Sequence, residues 1–267
     1  MDLTLRAPDS DRHSIILPGA ASELATPYSG TIISGGGKEY PIVKNIADLL
    51  PGGFSYSIAQ RSNHLGLTAS VYEDLWRNRS LSILTGESFP IRKEKELLLD
   101  WLSPRSGHRY LDVGCSTALY GRTVKQYCPE AEVAAIDISE PMLREARKKA
   151  RKEGTDLFLI RSDARSMPFF AETFDGLMMG GTLNELTDTL KVLYECRRVL
   201  KTGGTFFMMH LLKSESITGW LLQSPAGWGG VQFWSIKESN ELFGRAGFRI
   251  EDQFSAGIVC FTKLIAV

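Results

Sequence analysis

The sequence predicts an α/β fold: a doubly wound, mostly parallel sheet with an antiparallel last strand, preceded by a small N-terminal appendage. Three observations carry this. From Arg109 onward, short apolar runs alternate with amphipathic helical stretches, the pattern of a parallel sheet covered on both faces. The run Tyr110–Gly121 passes from an apolar strand through a small-residue turn into a helix, as at the ligand-binding edge of such sheets. The last two strands are joined only by a short connection around Ser255-Ala256-Gly257, too short for a crossover, so they pair antiparallel.

Composition sets the outer limits. The chain has 267 residues, 43% hydrophobic and 23% charged, which excludes disorder or a collagen-like repeat as an overall description. Its 31 basic and 31 acidic side chains give no formal net charge, which argues against a nucleic-acid grip based on bulk charge. No apolar run reaches the ~18–20 residues of a membrane span. The start, Met1 to Arg6, lacks the basic-then-apolar pattern of a secretory signal. Cys115, Cys128, Cys196 and Cys260 lie far apart with no CxxC pair. A disulfide framework or a cysteine zinc site is therefore not expected, and the thiols read as reduced in a cytoplasmic protein.

Taken in order, residues 1–53 form a turn-rich appendage. It holds Pro8, Pro18, Pro27, Pro41 and Pro51 and the triplet Gly35-Gly36-Gly37, between strand-like pieces at Thr31-Ile32-Ile33 and Tyr40-Pro41-Ile42-Val43. Residues 54–104 read as a helical cap, with one helix near Ser70–Arg79 and another at Lys93–Leu102. The core follows over 105–267. Its expected strands are Arg109–Val113, Glu132–Asp137, Leu157–Arg161, Phe174–Met179, Thr205–His210, one beginning near Gly247, and Ile258–Val267. Its expected helices are Ala118–Tyr127, Pro141–Glu153, Leu186–Leu200 and Ser235–Arg245. Glycine in Lys201-Thr202-Gly203-Gly204 is expected to cap the third of these helices in a left-handed conformation. Lys213–Phe233 is irregular and rich in Trp and Gly.

The chemistry gathers at the strand tips. Gly114, Ser116 and Ala118 let a ligand approach the backbone, but they do not spell the GxGxxG of a pyrophosphate-binding turn. Asp112 precedes that turn, where a carboxylate favours a cationic ligand over an anionic one. Asp137 closes the second strand, 25 positions later, placed to accept both hydroxyls of a ribose. Arg161-Ser162-Asp163-Ala164 follows the third strand and can set Asp163 against an adenine amino group. Met179-Gly180-Gly181-Thr182 closes the fourth, its glycines leaving room for ligand.

With these residues in view, the run from Tyr110 to Val267 resembles the class I S-adenosylmethionine-dependent methyltransferases, whose core is Rossmann-like. The resemblance rests on LDVGCSTALYG, AIDISEPMLREAR, IRSDARSMPFFAETFDGLMMGG, ECRRVLKTGGTFF and FGRAGFRI, in that order. Within the class it is most similar to the ubiquinone/menaquinone C-methyltransferase-like enzymes, in particular a plastid and cyanobacterial branch, through VYEDLWRNR and FPIRKEKELLLDWL. The resemblance implies that Asp112, Gly114, Cys115 and Ser116 surround the methionine part of the cofactor. It places Asp137 on the ribose, Ile138, Asp163 and Ala164 about the adenine, and Gly180 near the sulfonium. The chain departs from the pattern at Ser116 and Ala118, where glycine is usual, and at Thr202, where proline is frequent. Residues Tyr40–Pro51 also resemble the end of a zinc-ribbon-like module, yet no cysteine precedes Cys115, so a metal-free relic is expected.

Methyl transfer needs in-line placement and exclusion of water more than a fixed triad. His210, at the end of the fifth strand, is a candidate base, and Tyr72 a candidate for steadying a cation with its ring. Trp76, Asn184 and Trp220 are candidates to contact the acceptor. Core packing for the aromatic residues and His210, and helix capping for Asn184, are the competing readings. The expected protein is a monomer or homodimer that methylates a small lipophilic or aromatic molecule. The alternative is a non-catalytic S-adenosylmethionine-binding or regulatory protein.

Overall fold

The structure is a computed structural model that describes residues 2–8, 10–23, 27–50, 82, 84, 89–214, 223 and 230–267. The expected helix near Ser70–Arg79, together with Tyr72, Trp76 and Trp220, lies outside the described residues, as does most of the Lys213–Phe233 stretch.

Twelve strands occur among the described residues: β1 (Leu3–Ala7), β2 (Ser10–Leu17), β3 (Gly30–Ile33), β4 (Glu39–Val43), β5 (Ile46–Asp48), β6 (Arg109–Val113), β7 (Glu132–Asp137), β8 (Phe158–Arg161), β9 (Phe174–Gly180), β10 (Leu200–Leu211), β11 (Phe248–Ala256) and β12 (Val259–Ala266). The α-helices with ranges among the described residues are α1 (Ile91–Leu102), α2 (Leu119–Tyr127), α3 (Glu140–Glu153), α4 (Thr189–Val199) and α5 (Ile236–Arg245).

Ten strands form one sheet in the order β11-β12-β10-β9-β6-β7-β8-β5-β4-β3. β8, β7, β6, β9 and β10 run parallel, while β12 is antiparallel to both β10 and β11, as the short last connection demands. The chain moves outward from β6 to β7 and β8, then returns across β6 to β9. The order therefore reverses between β6 and β9, the place where open α/β sheets bind ligands beyond their strand tips.

Alternating side chains build one core on each face of the sheet. Leu111, Val113, Ile136, Ile160, Leu177, Phe206 and Met208 pack with Val192, Leu193 and Cys196 of α4 and Phe243 of α5. Tyr110, Val133, Ala135, Leu159, Met178 and Phe207 pack with Leu98 and Trp101 of α1, Tyr120 and Val124 of α2, and Leu143 and Ala146 of α3. Burying such side chains contributes roughly 1.5–3 kcal/mol each.

Two features of the N-terminal region go beyond its sequence pattern. β3–β5 continue the central sheet, with β5 parallel to β8 in the register Ile46↔Leu159, Ala47↔Ile160 and Asp48↔Arg161. β1 and β2 form a separate hairpin. It buries Leu3, Leu5, Ile15 and Leu17 in the core on the α4–α5 face, and its Arg6 N–H donates to the Pro168 carbonyl at 3.1 Å.

One expectation is corrected at the end of α4. Its cap is Leu200 in extended conformation (φ −86°, ψ 133°), because the chain enters β10 directly. Gly203 does adopt φ +78°, but it serves the irregular register between Leu200 and Thr205 within β10. At the other end, the helix starts at Thr189, where Asp188 accepts the Lys191 N–H at 3.2 Å.

Candidate functional site

The tips of the neighbouring strands β9, β6, β7 and β8, on and beside the reversal point between β6 and β9, carry most of the residues singled out from sequence. The turn after β6 comes first. Gly114 has φ +63°, and a Cβ there would fall 2.3 Å from Thr182 Cγ2. The Thr182 hydroxyl donates to the Gly114 carbonyl at 2.8 Å. This bond ties the β6 turn to the segment after β9, where Gly181 adopts φ +81° and its N–H donates to Met209 O at 2.9 Å.

Ser116 and Ala118 also have left-handed backbones, φ 50° and 55°. Their conformation explains why glycine suits these positions: a residue with a Cβ costs roughly 1–2 kcal/mol there. Asp112 is buried beneath the turn, and its Oδ2 accepts the Gly121 N–H at 2.9 Å. The carboxylate thus holds the first turn of α2 against β6. The Cys115 N–H pairs with Ile136 O at 2.9 Å, and burial, with help from Asp137 and Asp112, pushes its thiol well above the ordinary range. Burial thus disfavours the Cys115 thiolate.

Asp137 is the centre of the arrangement. Its Oδ2 accepts the Ser116 N–H and its Oδ1 the Ser139 N–H, each at 2.8 Å. The carboxylate so fixes the β6 turn relative to the entry into α3. Burial raises its pKa above the ordinary value, opposed by the amides of Ser139, Ser116 and Ile138. A carboxylate has about four acceptor positions, so capacity remains for a hydroxyl donor. At the tip of β8, Asp163 is held by Arg165, whose Nε lies 3.0 Å from both carboxylate oxygens. The neighbouring Ser162 hydroxyl is buried without a hydrogen-bond partner. Ile138, Ala164 and Gly180 are half-buried at the strand tips.

Asn184 and His210 lie at the far side of the site, about the end of β10. Asn184 is 1% exposed. Its Nδ2 donates to Leu211 O at 2.8 Å and Gln232 O at 2.6 Å, and its Oδ1 accepts the Leu211 N–H at 2.8 Å. It fastens the chain near residue 232 to the end of β10. His210 is fully buried, edge-on to Phe243 with ring centroids 5.7 Å apart, and neither ring nitrogen has a partner. Burial lowers its pKa to about 4, so the ring is neutral at neutral pH.

Sequence reasoning did not single out Thr182 or Ser139, though both stand within motifs it read. Their roles come from backbone geometry: Thr182 meets a turn 68 positions earlier, and Ser139 donates from its main chain. Among the described residues, no group of three or more His, Cys, Asp or Glu is placed to hold a metal ion. No helix among them is long and apolar enough to cross a membrane.

Whether these residues suit S-adenosylmethionine is a question of donor set and space. Asp137 offers a preorganised carboxylate acceptor, which fits a nucleoside carrying a ribose diol. The space beside Gly114 is taken by Thr182, which a Cβ there would meet at 2.3 Å. The methyltransferase domain family matches residues 111–208. The ubiquinone/menaquinone biosynthesis C-methyltransferase UbiE of Dinoroseobacter shibae is 28% identical over 160 residues, which cover 58% of this chain and 63% of that protein. The demethylmenaquinone methyltransferase of Symbiobacterium thermophilum is 36% identical over 115 residues, 42% of this chain and 46% of that one. The matches thus span less than two thirds of either relative. Among solved structures, a SAM dependent methyltransferase from Aquifex aeolicus superimposes with a TM-score of 0.55 and 25% identity, covering 65% of this chain and 90% of its own. A methyltransferase of Haemonchus contortus in complex with S-adenosylhomocysteine shares the fold, with a TM-score of 0.63 and 15% identity, over 78% of this chain and 60% of its own. Over residues 111–208 the chain is therefore similar to a methyltransferase domain.

Proposed function

We propose that the protein transfers a methyl group from S-adenosyl-L-methionine to a small lipophilic or aromatic acceptor of quinone-like chemistry. The observation that carries the reading is Asp137, a half-buried carboxylate that joins the β6 turn to the start of α3 through two 2.8 Å backbone hydrogen bonds. The acceptor class is supported by the printed names of the relatives in ubiquinone and menaquinone biosynthesis.

When bound, S-adenosyl-L-methionine supplies an electrophilic methyl carbon on a positively charged sulfur. The protein's part is placement and desolvation. Asp137 accepts from the ribose hydroxyls. Ile138, Asp163 and Ala164 border the adenine. Gly114, Cys115 and Ser116 line the methionine side, Asp112 holds that turn from beneath, and Gly180 leaves space beyond it. From sequence, Tyr72 is assigned to steadying the sulfonium with its ring, and Trp76 and Trp220 to contacting the acceptor. Asn184 joins Gln232 to Leu211 at the end of β10.

A phenolic or acidic-carbon acceptor also loses a proton. His210 is our sequence-based candidate to receive it: neither ring nitrogen is engaged, while its full burial opposes protonation of the ring. Replacing it with Ala then slows turnover while cofactor affinity stays unchanged; a normal rate removes it from the mechanism. The cysteines are free thiols, consistent with a protein that works in the reducing cytoplasm.

The direct test is a labelled-methyl assay of the purified protein with a panel of quinols, phenols and small amines. The reading expects label in the quinol or phenol products. Cofactor binding with no transfer to any acceptor, in the panel or in a lipid extract, would contradict it.

A further inference from the structure

Three charged residues stand at one level across three neighbouring strands. Asp48 of β5 is opposite Arg161 of β8, and Arg161 is opposite Asp137 of β7. Equal register on parallel strands puts all three side chains on one face of the sheet. That face is the α1–α3 side, since Ile46, Leu159 and Ala135, two positions earlier on each strand, belong to its core.

The contacts turn this row into a chain of support. Asp48 Oδ2 lies 2.8 Å from Arg161 Nη1. Arg161 Nε donates to the carbonyl of Ile138 at 3.1 Å. Ile138 joins Asp137 to Ser139, whose N–H is bound by the Asp137 carboxylate. The same junction is closed from the main chain, where the Leu49 N–H donates to Arg161 O at 2.9 Å. Arg147 of α3 adds a bond to the Lys44 carbonyl at 2.7 Å.

We infer that Asp48 and Arg161 are positioning residues through which the N-terminal strands set the loop that carries Asp137, and thereby the affinity for the nucleoside part of the cofactor. Asp48 fixes one arm of the guanidinium, and the other arm holds the Ile138 carbonyl. A planar, five-donor fork suits this double task, and the point charge of lysine does not. Without Asp48, the guanidinium loses one of the contacts that orient it, and the Ile138–Ser139 loop is held less firmly. The nucleoside role rests on the proposed function, whereas the mechanical link does not.

The test uses the full chain with Asp48→Asn and Asp48→Glu. Asparagine keeps an Oδ1 acceptor for the Leu50 N–H, which Asp48 Oδ1 now binds at 3.2 Å, but it removes the charge facing Arg161. Hydrogen exchange of the Ser139 amide is measured without ligand, and S-adenosylhomocysteine affinity by titration calorimetry. Asp48→Asn is expected to speed that exchange and weaken that affinity by about two- to fivefold each, the range of a partly exposed ion pair. Exchange in β10 stays unchanged, and Asp48→Glu restores both values towards wild type. Unchanged Ser139 exchange, or an increase spread evenly over the sheet, overturns the inference. Failure of the wild type to bind S-adenosylhomocysteine counts against the proposed function, and the exchange measurement still decides the link.

Discussion

Thr182 Cγ2 stands 2.3 Å from the point where a Cβ on Gly114 would sit, while its hydroxyl bonds the Gly114 carbonyl at 2.8 Å. The two turns beyond β6 and β9 are thus fitted to one another with no space between them. Gly114→Ala meets both a left-handed backbone and this threonine. It should destabilise the fold by about 2–4 kcal/mol, from conformational strain and overpacking together, as read by urea unfolding. A loss below about 0.5 kcal/mol, the range of ordinary surface substitutions, would show that the turn is loose.

Ser116 is the opposite case, a residue with a side chain where the backbone (φ 50°) favours glycine. Ser116→Gly keeps the N–H that Asp137 binds and gives up only the contact of Ser116 Oγ with Met142 Sδ at 3.4 Å. Relief of the left-handed strain, offset by the greater freedom of unfolded glycine, leaves stability unchanged or higher by up to about 1 kcal/mol. Equilibrium unfolding checks this, and a loss of more than about 1 kcal/mol would contradict it.

His210 makes stability depend on pH in a defined window. The unfolded ring takes up its proton near the ordinary value of 6.5, and the folded ring only near about 4. The unfolded state therefore binds more protons between these values. Stability is full above pH 6.5 and falls as pH drops towards 4, by on the order of 3 kcal/mol in all. His210→Leu should flatten the unfolding free energy across that window relative to wild type. An unaltered slope would assign the titration to other groups.

Much of this was legible in the sequence, for physical reasons. The β6–α2 and β7–α3 units were readable because each strand is mostly apolar and leads into a small residue or a carboxylate. The early start of β10 was not, because Gly203-Gly204 reads as a break, whereas pairing with β9 carries the chain through it. The β1–β2 hairpin was also hidden. Leu3, Leu5 and Ala7 alternate correctly with Thr4 and Arg6, but their burial depends on a surface more than 150 positions away, where Arg6 meets Pro168. At the site, sequence named the carboxylates and glycines. It gave no role to Thr182 or to the pairing of Asp48 with Arg161, whose significance exists only once distant strands lie side by side.

The central claim is that Asp137 holds the ribose of S-adenosyl-L-methionine at the β7 tip. Titration calorimetry of S-adenosylhomocysteine against wild type and Asp137→Ala tests it most directly. Loss of a charge-assisted acceptor is worth about 1.5–3 kcal/mol, so affinity should fall roughly ten- to hundredfold in a variant that remains folded by circular dichroism. Equal affinity in the two proteins would contradict the account.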